Sequence, residues 1–336
     1  MTQTSPLLDP ALPLALLQHC PAYEASPLAQ HSHAGHRIWV KDETGRMGLG
    51  AFKALGGVYA VAQLVAQSTG VPAPALTSEA ARAKASDLTF VCASAGNHGM
   101  SVAAGAQLFG AGCRIHLAET VPEAFAARLR AKGAGVVRSG ATYEASIAAA
   151  IADAQSTGAI HLADGSWPGY TEPPRLVMEG YTIIAEEMRQ VFEAQNSWPS
   201  HVFLQAGVGG LAGAVAHMIR ENWARQPEII IVEPTAAPCI QASVAAGRMV
   251  TVEGPVSNMG RLDCKDASLL AFDILREAAD RYVTISDEEG AQAVTEAGAM
   301  GFGSTPSGAS GLAALLKQEE PMAAPLVILS EGLEDA

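Results

Sequence analysis

The sequence is poor in positive charge. Its 336 residues include 21 Lys and Arg against 34 Asp and Glu, which gives a formal net charge of -13. Because contacts to a nucleic-acid backbone depend on Lys and Arg, this balance argues against a nucleic-acid partner. It leaves room for a small anionic ligand, which backbone amides can bind without a basic side chain.

Long apolar runs and closely spaced cysteines are also missing. No stretch of the sequence is long and apolar enough to span a bilayer, so no membrane association is predicted. The amino-terminal segment lacks a basic start, and prolines interrupt its apolar residues. The five cysteines are scattered without C-x-x-C spacing, which predicts neither a metal site nor a disulfide framework. Together these features predict a cytoplasmic protein.

Aromatic residues make up only 5% of the chain, whereas hydrophobic residues reach 49% and glycine alone accounts for 33 residues. Small side chains in a large core are typical of helices packed closely on sheets. Apolar strand-like runs alternate with segments of helical periodicity, which predicts parallel sheets with ligands at the carboxyl ends of the strands. Residues 1–36 lack clear periodicity and are predicted to form a peripheral arm, and residues 70–87 a loop.

One lysine stands among small residues. In "KDETGRMGLGAFKALGG", Lys53 follows glycines and Phe52, and more small residues come directly after it. The apolar spacing from residue 53 onward predicts a helix that begins at or near this lysine. A lone lysine at a helix start is usually solvated, so a functional role for Lys53 depends on the motifs elsewhere in the chain.

A glycine turn lies between a predicted strand and a predicted helix in "QAGVGGLAGAV". Gly207, Gly209 and Gly210 would let the backbone approach an anion, with the amides of the helix start directed at it. A plain tight turn is the simplest alternative. The same residues also fit a relaxed dinucleotide fingerprint, in which Ala212 takes the last place and Glu233 contacts a ribose. Taken alone, the segment suits NAD and a phosphorylated cofactor equally.

A second turn of this kind is "SAGNHG", Ser94 to Gly99. Its hydroxyl and amide donors suit a carboxylate, and the Asn97 side chain could donate to a phenolate oxygen. His98 is a general base by residue type, although a histidine at a helix start is more often structural. A dinucleotide-binding unit does not need this second anion-receiving turn, whereas a site for a phosphorylated cofactor and an amino acid does.

Other polar positions are individually ambiguous. Ser307 precedes a helical run. It could be the N-cap of that helix, or it could present a neutral hydroxyl to a heteroaromatic nitrogen. Asp164 is predicted to end a strand, where a turn or N-cap role and a catalytic role are equally open. His31, His33 and His36 have spacing that could suit a metal, but nothing nearby completes a ligand set, so a solvated loop is favoured.

In this order the four motifs resemble fold-type II pyridoxal-phosphate enzymes, the tryptophan synthase β family, from about Arg37 onward. The resemblance matches "GAFKALGG" to the segment that binds the cofactor covalently, "SAGNHG" to the substrate-carboxylate loop, "AGVGG" to the phosphate loop and "PSGASG" to the segment facing the pyridine nitrogen. It implies an α/β fold of two domains with mostly parallel twisted sheets flanked by helices. Residues 1–53 and 165–336 would form the large cofactor-binding domain, and residues 54–164 the small domain with the carboxylate loop.

The resemblance also implies roles for single residues around pyridoxal 5′-phosphate. Lys53 would bind the cofactor and take the substrate α-proton, with Asp164 as a second catalytic candidate. Cofactor contacts are expected from Lys53, Phe52, Asn97, Gly207, Val208, Gly209, Gly210, Leu211 and Ser307. Substrate contacts are expected from Ser94, Ala95, Gly96, Asn97 and His98.

Within that family the chain is most similar to diaminopropionate ammonia-lyases, through "WPGYTEPPRLVMEGYTIIAEE" and "LSEGLED". This likeness implies β-elimination from a small amino acid like 2,3-diaminopropionate, giving a 2-keto acid and ammonia, by a homodimer. Ala95 departs from the Asp usual in those enzymes and matches threonine and serine dehydratases instead. The alternatives are therefore an L-threonine or L-serine dehydratase and, in a different class, an NAD-dependent oxidoreductase. The loss of a base at Ala95 also implies a preference for L-substrates.

Overall fold

A computed structural model describes residues 8–320 and 322–333 of the chain. Within these ranges the helices are α1 Ala11–Leu17, α2 Lys53–Thr69, α3 Glu79–Ala85, α4 Asn97–Phe109, α5 Glu123–Ala131, α6 Tyr143–Thr157, α7 Glu172–Gln195, α8 Gly210–Asn222, α9 Cys239–Ala246, α10 Leu269–Ala278, α11 Asp287–Ala299 and α12 Ser310–Leu316. The strands are β1 Leu28–His33, β2 His36–Asp42, β3 Thr89–Cys92, β4 Gly112–Leu117, β5 Gly135–Arg138, β6 Ile160–His161, β7 His201–Gln205, β8 Glu228–Pro234, β9 Arg281–Ile285 and β10 Pro325–Leu329.

The strands form two sheets. The six-stranded sheet has the order β1-β2-β10-β7-β8-β9, and the four-stranded sheet has the order β5-β4-β3-β6. Every pair of neighbouring strands is parallel except β1 and β2, which form an antiparallel hairpin. The predicted α/β class with mostly parallel sheets flanked by helices is confirmed.

The glycines that follow Lys53 let helices pack closely on α2. A Cβ atom at Gly180 of α7 would lie 2.7 Å from the Gly56 Cα atom and 2.8 Å from the Leu55 carbonyl oxygen. A side chain at Gly57 would collide with Ser101 of α4. Such distances leave no room for larger residues, because protein interiors are close-packed. The small residues after Lys53 therefore position its helix against α4 and α7, as the sequence predicts.

Two predictions about irregular segments are wrong. Residues 79–85 form α3, where the Ser78 side chain accepts a hydrogen bond from the Ala81 amide, a helix cap that the polar composition concealed. The amino-terminal segment is not only a peripheral arm, since Leu16 and Leu17 are buried in the main core and β1 forms one edge of the large sheet. Residues 1–7 lie outside the described residues.

The histidine segment also differs from the expected loop. His31 and His33 lie on β1 and His36 begins β2, so all three belong to the hairpin. His33 Nε2 lies 2.8 Å from a carboxylate oxygen of Glu296, which attaches the hairpin to α11. In residues 8–320 and 322–333, no helix is long and apolar enough to cross a membrane.

Candidate active site

The sequence motifs meet at one edge of the large sheet. Strands β2, β10 and β7 are neighbours in that order, so the segments that follow their carboxyl ends lie side by side. The Phe52 amide donates to the Ser330 carbonyl oxygen at 3.1 Å, and the Gly332 amide donates to the Gly50 carbonyl oxygen at 2.9 Å. The segment before Lys53 is thereby joined to the segment that follows β10.

Lys53 is the first residue of α2, as predicted. Its Nζ atom lies 2.5 Å from Asp164 Oδ2, and the two side chains are 23% and 21% exposed. Phe52, just before the helix, contacts the Tyr181 ring edge-on with 4.9 Å between centroids. The lysine amine is therefore held in place by a carboxylate and still reaches solvent.

Asp164 does not end a strand, because β6 stops at His161. Its side chain accepts a hydrogen bond from Lys53, which differs from the N-cap role left open by the sequence. Burial alone would raise the pKa of the Asp164 carboxyl. The Lys53 ammonium has the opposite effect, and it holds that pKa well below its usual range. Asp164 is consequently ionised at neutral pH.

The "SAGNHG" segment turns from β3 into α4, which begins at Asn97. The Ser94 hydroxyl accepts a hydrogen bond from the Gly96 amide at 3.3 Å. His98 is buried, and its Nε2 atom donates to the Leu162 carbonyl oxygen at 2.8 Å. Burial lowers the pKa of His98, so the ring is neutral and its hydrogen bond joins α4 to the segment after β6. This is the structural role rather than that of a general base.

The glycine turn also forms where the sequence predicts it. β7 ends at Gln205 and α8 begins at Gly210, with Gly209 at a φ of 97°, a conformation that favours glycine. A Cβ atom at Gly207 would lie 3.0 Å from the Arg261 carbonyl oxygen and 3.1 Å from Cys264 Sγ. The amides at the start of α8 have no partner within the helix, so the turn offers donors to an anion.

Ser307 is not an N-cap, because α12 begins at Ser310 after Ala309. Its buried hydroxyl accepts a hydrogen bond from the Arg261 amide at 3.2 Å. The Arg261 carbonyl oxygen packs against Gly207, so Arg261 contacts both Ser307 and the glycine turn. The Arg261 guanidinium continues to the carboxylate loop, where a Cβ atom at Gly96 would lie 2.9 Å from it.

Glu233 does not face a ligand. Its buried carboxylate accepts the backbone amides of Ile240 at 2.7 Å and Gln241 at 2.8 Å, both in the first turn of α9. A ribose would have to displace these bonds. The dinucleotide alternative for the glycine turn is therefore rejected.

Two residues at this edge were missed by the sequence analysis. Glu331 follows β10, and one of its carboxylate oxygens accepts the Asn97 side-chain amide at 2.5 Å. The same oxygen lies 3.8 Å from Nε of Arg261. An acidic residue directly after an apolar strand was a usable signal for Glu331, but Arg261 lies in a segment without periodicity.

A separate groove of about 730 Å³ lies at the opposite edge of the large sheet. It is lined by His201 and Arg281, which begin β7 and β9, together with Lys317 and Gln318. Ligands of parallel sheets bind at the carboxyl ends of the strands, so the candidate site is at the Lys53 edge.

Comparisons with known proteins identify the family of the chain. The family model described as "Pyridoxal-phosphate dependent enzyme" matches residues 19–331. Diaminopropionate ammonia-lyase of Escherichia coli K12 is 32% identical over 296 residues, which cover 85% of this chain and 74% of that protein. A probable D-serine dehydratase of Burkholderia thailandensis is 29% identical over 289 residues, covering 80% of this chain and 64% of the other.

A solved structure gives the same result in three dimensions. It is the Escherichia coli diaminopropionate ammonia-lyase in complex with an aminoacrylate-PLP azomethine reaction intermediate, with a TM-score of 0.87 and 30% sequence identity. The match covers 99% of this chain and 91% of that chain. With a family model that spans most of its length and a relative this similar, the chain belongs to the family of pyridoxal-phosphate-dependent enzymes.

Proposed function

We propose that the protein is a pyridoxal-phosphate-dependent ammonia-lyase. It eliminates the β-substituent of a small amino acid related to 2,3-diaminopropionate and releases a 2-keto acid and ammonia. The observation that carries this proposal is the Lys53 amine, 2.5 Å from Asp164 and partly exposed at the edge where the four motifs meet. The similarity to diaminopropionate ammonia-lyase supplies the substrate class.

The residues at this edge fit the cofactor. A phosphate needs close backbone donors, and Gly207 and Gly209 lie where added side chains would meet neighbouring atoms. The turn from Gly207 to Leu211 has no basic side chain, so the amides of Gly207, Val208, Gly209, Gly210 and Leu211 would carry the phosphate contact. Ser307 would present a neutral hydroxyl to the ring nitrogen, and Phe52, next to Lys53 in the chain, would contact the ring.

When bound, pyridoxal phosphate supplies an electron sink for the charge that develops at the substrate Cα atom. Lys53 would hold the cofactor covalently and would take the substrate α-proton on Nζ. Asp164 stabilises the ammonium that this transfer creates, since its carboxylate is ionised and adjacent to Nζ. The neutral Ser307 hydroxyl does not charge the ring nitrogen, which favours β-elimination over transamination or racemisation.

Substrate binding is assigned to the loop between β3 and α4. The Ser94 hydroxyl and the amides around Gly96, Asn97 and His98 would bind the α-carboxylate at the start of α4. Ala95 contributes no titratable group. The Asn97 side chain would donate to the phenolate oxygen of the cofactor.

We also infer the two-domain division, with residues 1–53 and 165–336 in the cofactor-binding domain and 54–164 in the small domain. The separate four-stranded sheet, whose strands all come from the chain between Thr89 and His161, supports this division. A homodimer and a cytoplasmic location are proposed from the family resemblance and the scattered cysteines, each of which is free.

A dehydratase acting on L-serine or L-threonine is the second candidate, favoured by Ala95 in the carboxylate loop. The deciding experiment measures keto-acid and ammonia release from L-2,3-diaminopropionate, L-serine and L-threonine. Pyruvate with two equivalents of ammonia from diaminopropionate, at the highest kcat/KM of the panel, supports the proposed activity. A higher kcat/KM for a hydroxy amino acid would replace it with the dehydratase.

A further inference from the structure

Glu331 is a buried carboxylate to which the proposed function gives no role. Its side chain is 9% exposed. One carboxylate oxygen accepts the Asn97 side-chain amide at 2.5 Å, and the other accepts the Thr305 hydroxyl at 2.5 Å. A buried charge is costly unless it is paired and hydrogen-bonded, so these contacts fix the carboxylate in one orientation.

The backbone around Glu331 extends these contacts to the lysine segment. Glu331 forms a β-bridge with Ala51, two residues before Lys53. Its carbonyl oxygen accepts the Ser304 hydroxyl at 2.7 Å, and a Cβ atom at Gly308 would lie 2.7 Å from that oxygen. Glu331 therefore contacts the Lys53 segment, the Asn97 loop and the segment around Ser307 at once.

The contact to Asn97 bears on cofactor binding. An asparagine side chain can present either its oxygen or its nitrogen to a ligand, and its terminal torsion has no strong preference. A carboxylate accepts hydrogen bonds only, so Glu331 selects the orientation in which the Asn97 nitrogen faces it. The nitrogen has a second proton, which remains for the phenolate oxygen.

We propose that Glu331 is a positioning residue that orients the Asn97 amide toward the cofactor and joins the carboxylate loop to the segments of Lys53 and Ser307. The proposal rests on the assignment of Asn97 as a cofactor ligand in the proposed function. Glu331 acts through Asn97 and does not itself touch the reacting atoms.

The test measures cofactor affinity rather than turnover. Apo-protein is titrated with pyridoxal 5′-phosphate, and Kd is obtained from the absorbance of the bound cofactor. Glu331→Gln should weaken binding by about tenfold, because glutamine replaces one of the two acceptor oxygens with a donor and removes the charge. Hydrogen bonds to a charged group contribute on the order of a factor of ten or more. The same substitution at Glu277, whose side chain is 77% exposed, is the matched control and should leave Kd unchanged.

A double-mutant cycle with Asn97→Ala identifies the route of the effect. In the Asn97→Ala background, Glu331→Gln should change Kd by only about two- to threefold, the part that depends on Thr305. An equal tenfold loss in both backgrounds, or no loss in the wild-type background, would overturn the proposal. If the unfolding midpoint shows that Glu331→Gln folds poorly, Glu331→Asp replaces it in the same cycle with the same criteria.

These outcomes are separate from the choice of substrate. Failure to release keto acid from diaminopropionate would remove the proposed activity and leave the Kd cycle unaffected. Coupling between Glu331 and Asn97 with no diaminopropionate turnover would place the same positioning contact in a different enzyme of this family.

Discussion

The amine of Lys53 contacts the Asp164 carboxylate, and the helix that Lys53 begins has small residues in its first turns. Each of these neighbours has a distinct effect. The carboxylate fixes the position of the amine, and the small residues let α4 and α7 pack closely against α2. Lys84 of α3, by contrast, is exposed near the end of its helix.

Replacing Lys53 should remove both cofactor attachment and activity. In Lys53→Ala the covalent bond to the cofactor cannot form, and no amine remains to take the α-proton, a contribution of about 10²–10⁴ in rate for a general base alone. Borohydride reduction followed by peptide mass analysis measures the attachment. Lys84→Ala is the control and should behave as wild type. A reducible adduct that persists in Lys53→Ala would assign the cofactor to another lysine.

Ala95 bears on the stereochemistry of the substrate. In the proposed site a D-amino acid would present its α-proton to the face opposite Lys53, where the methyl group of Ala95 could not accept it. Asp164 is the carboxylate in contact with the Lys53 amine, and the Lys53 ammonium lowers its pKa. We expect kcat/KM for L-2,3-diaminopropionate to exceed that for the D-enantiomer by at least about a hundredfold. The similarity to a probable D-serine dehydratase makes the opposite outcome informative, because comparable values would require a second base, for which Asp164 is the candidate.

At the scale of an element, the glycine turn before α8 contains Gly209, which has a left-handed backbone conformation and is closely packed. Gly209→Val should weaken pyridoxal phosphate binding, because a side chain would meet Ala271 and Ile240 and push the amides away from the phosphate. Gly247→Val is a matched control, since Gly247 also has a positive φ of 65° but no atom within 4 Å of an added Cβ. Equal Kd values for the two variants would argue against the phosphate assignment.

The crossing of α2 and α7 gives an element-scale prediction about stability. Gly180→Ala places a methyl group 2.7 Å from the Gly56 Cα atom, and such overpacking should destabilise the protein by about 1–3 kcal/mol. Gly298→Ala in α11 has no atom within 4 Å and should stabilise it by about 0.5–1 kcal/mol. Chemical denaturation measures both. Similar effects of the two substitutions would show that the helices do not touch at this crossing.

Local signals account for what the sequence predicts correctly. The start of α2 at Lys53 and the glycine turn before α8 both depend on residues a few positions apart. The acidic residue after β10 was a usable signal for Glu331, but its partners depend on β10 lying between β2 and β7, and sheet order has no local signature. Arg261 could not be assigned, because it lies in a segment without periodicity. The helix at residues 79–85 was missed for a different reason, since its cap at Ser78 lies in a polar segment with little apolar periodicity. The last residues of the "LSEGLED" motif, Glu334 and Asp335, lie outside the described residues.

For the whole molecule, Glu233 links stability to pH. Burial raises the pKa of Glu233 to about 7 from its ordinary value of 4.5. The folded protein therefore binds this proton more tightly than the unfolded chain does. The resulting stabilisation is fully present below the unfolded pKa and is lost as the pH rises through the folded pKa.

Glu233→Gln, which cannot ionise, should remove this dependence. Between about pH 5 and pH 8 the wild-type free energy of unfolding should fall by about 3 kcal/mol more than that of the variant. Urea denaturation of the apo-proteins at the two pH values measures the difference. Parallel pH profiles would show that the two α9 amides keep Glu233 ionised across this range, with no burial effect on its titration.

The insertion of β10 between β2 and β7 has a consequence for synthesis on the ribosome. The chain is translated from β2 and Lys53 first, while the strand that separates β2 from β7 is made only after residue 324. At about 5–20 residues per second, Lys53 waits on the order of tens of seconds before its neighbours at Ser330 and Glu331 exist. Until then the nascent chain exposes an unpaired strand edge, and it cannot enclose a cofactor. Lys53 is thus synthesised early, but its surroundings are completed late. A chain that stalls before β10 should therefore not bind pyridoxal phosphate.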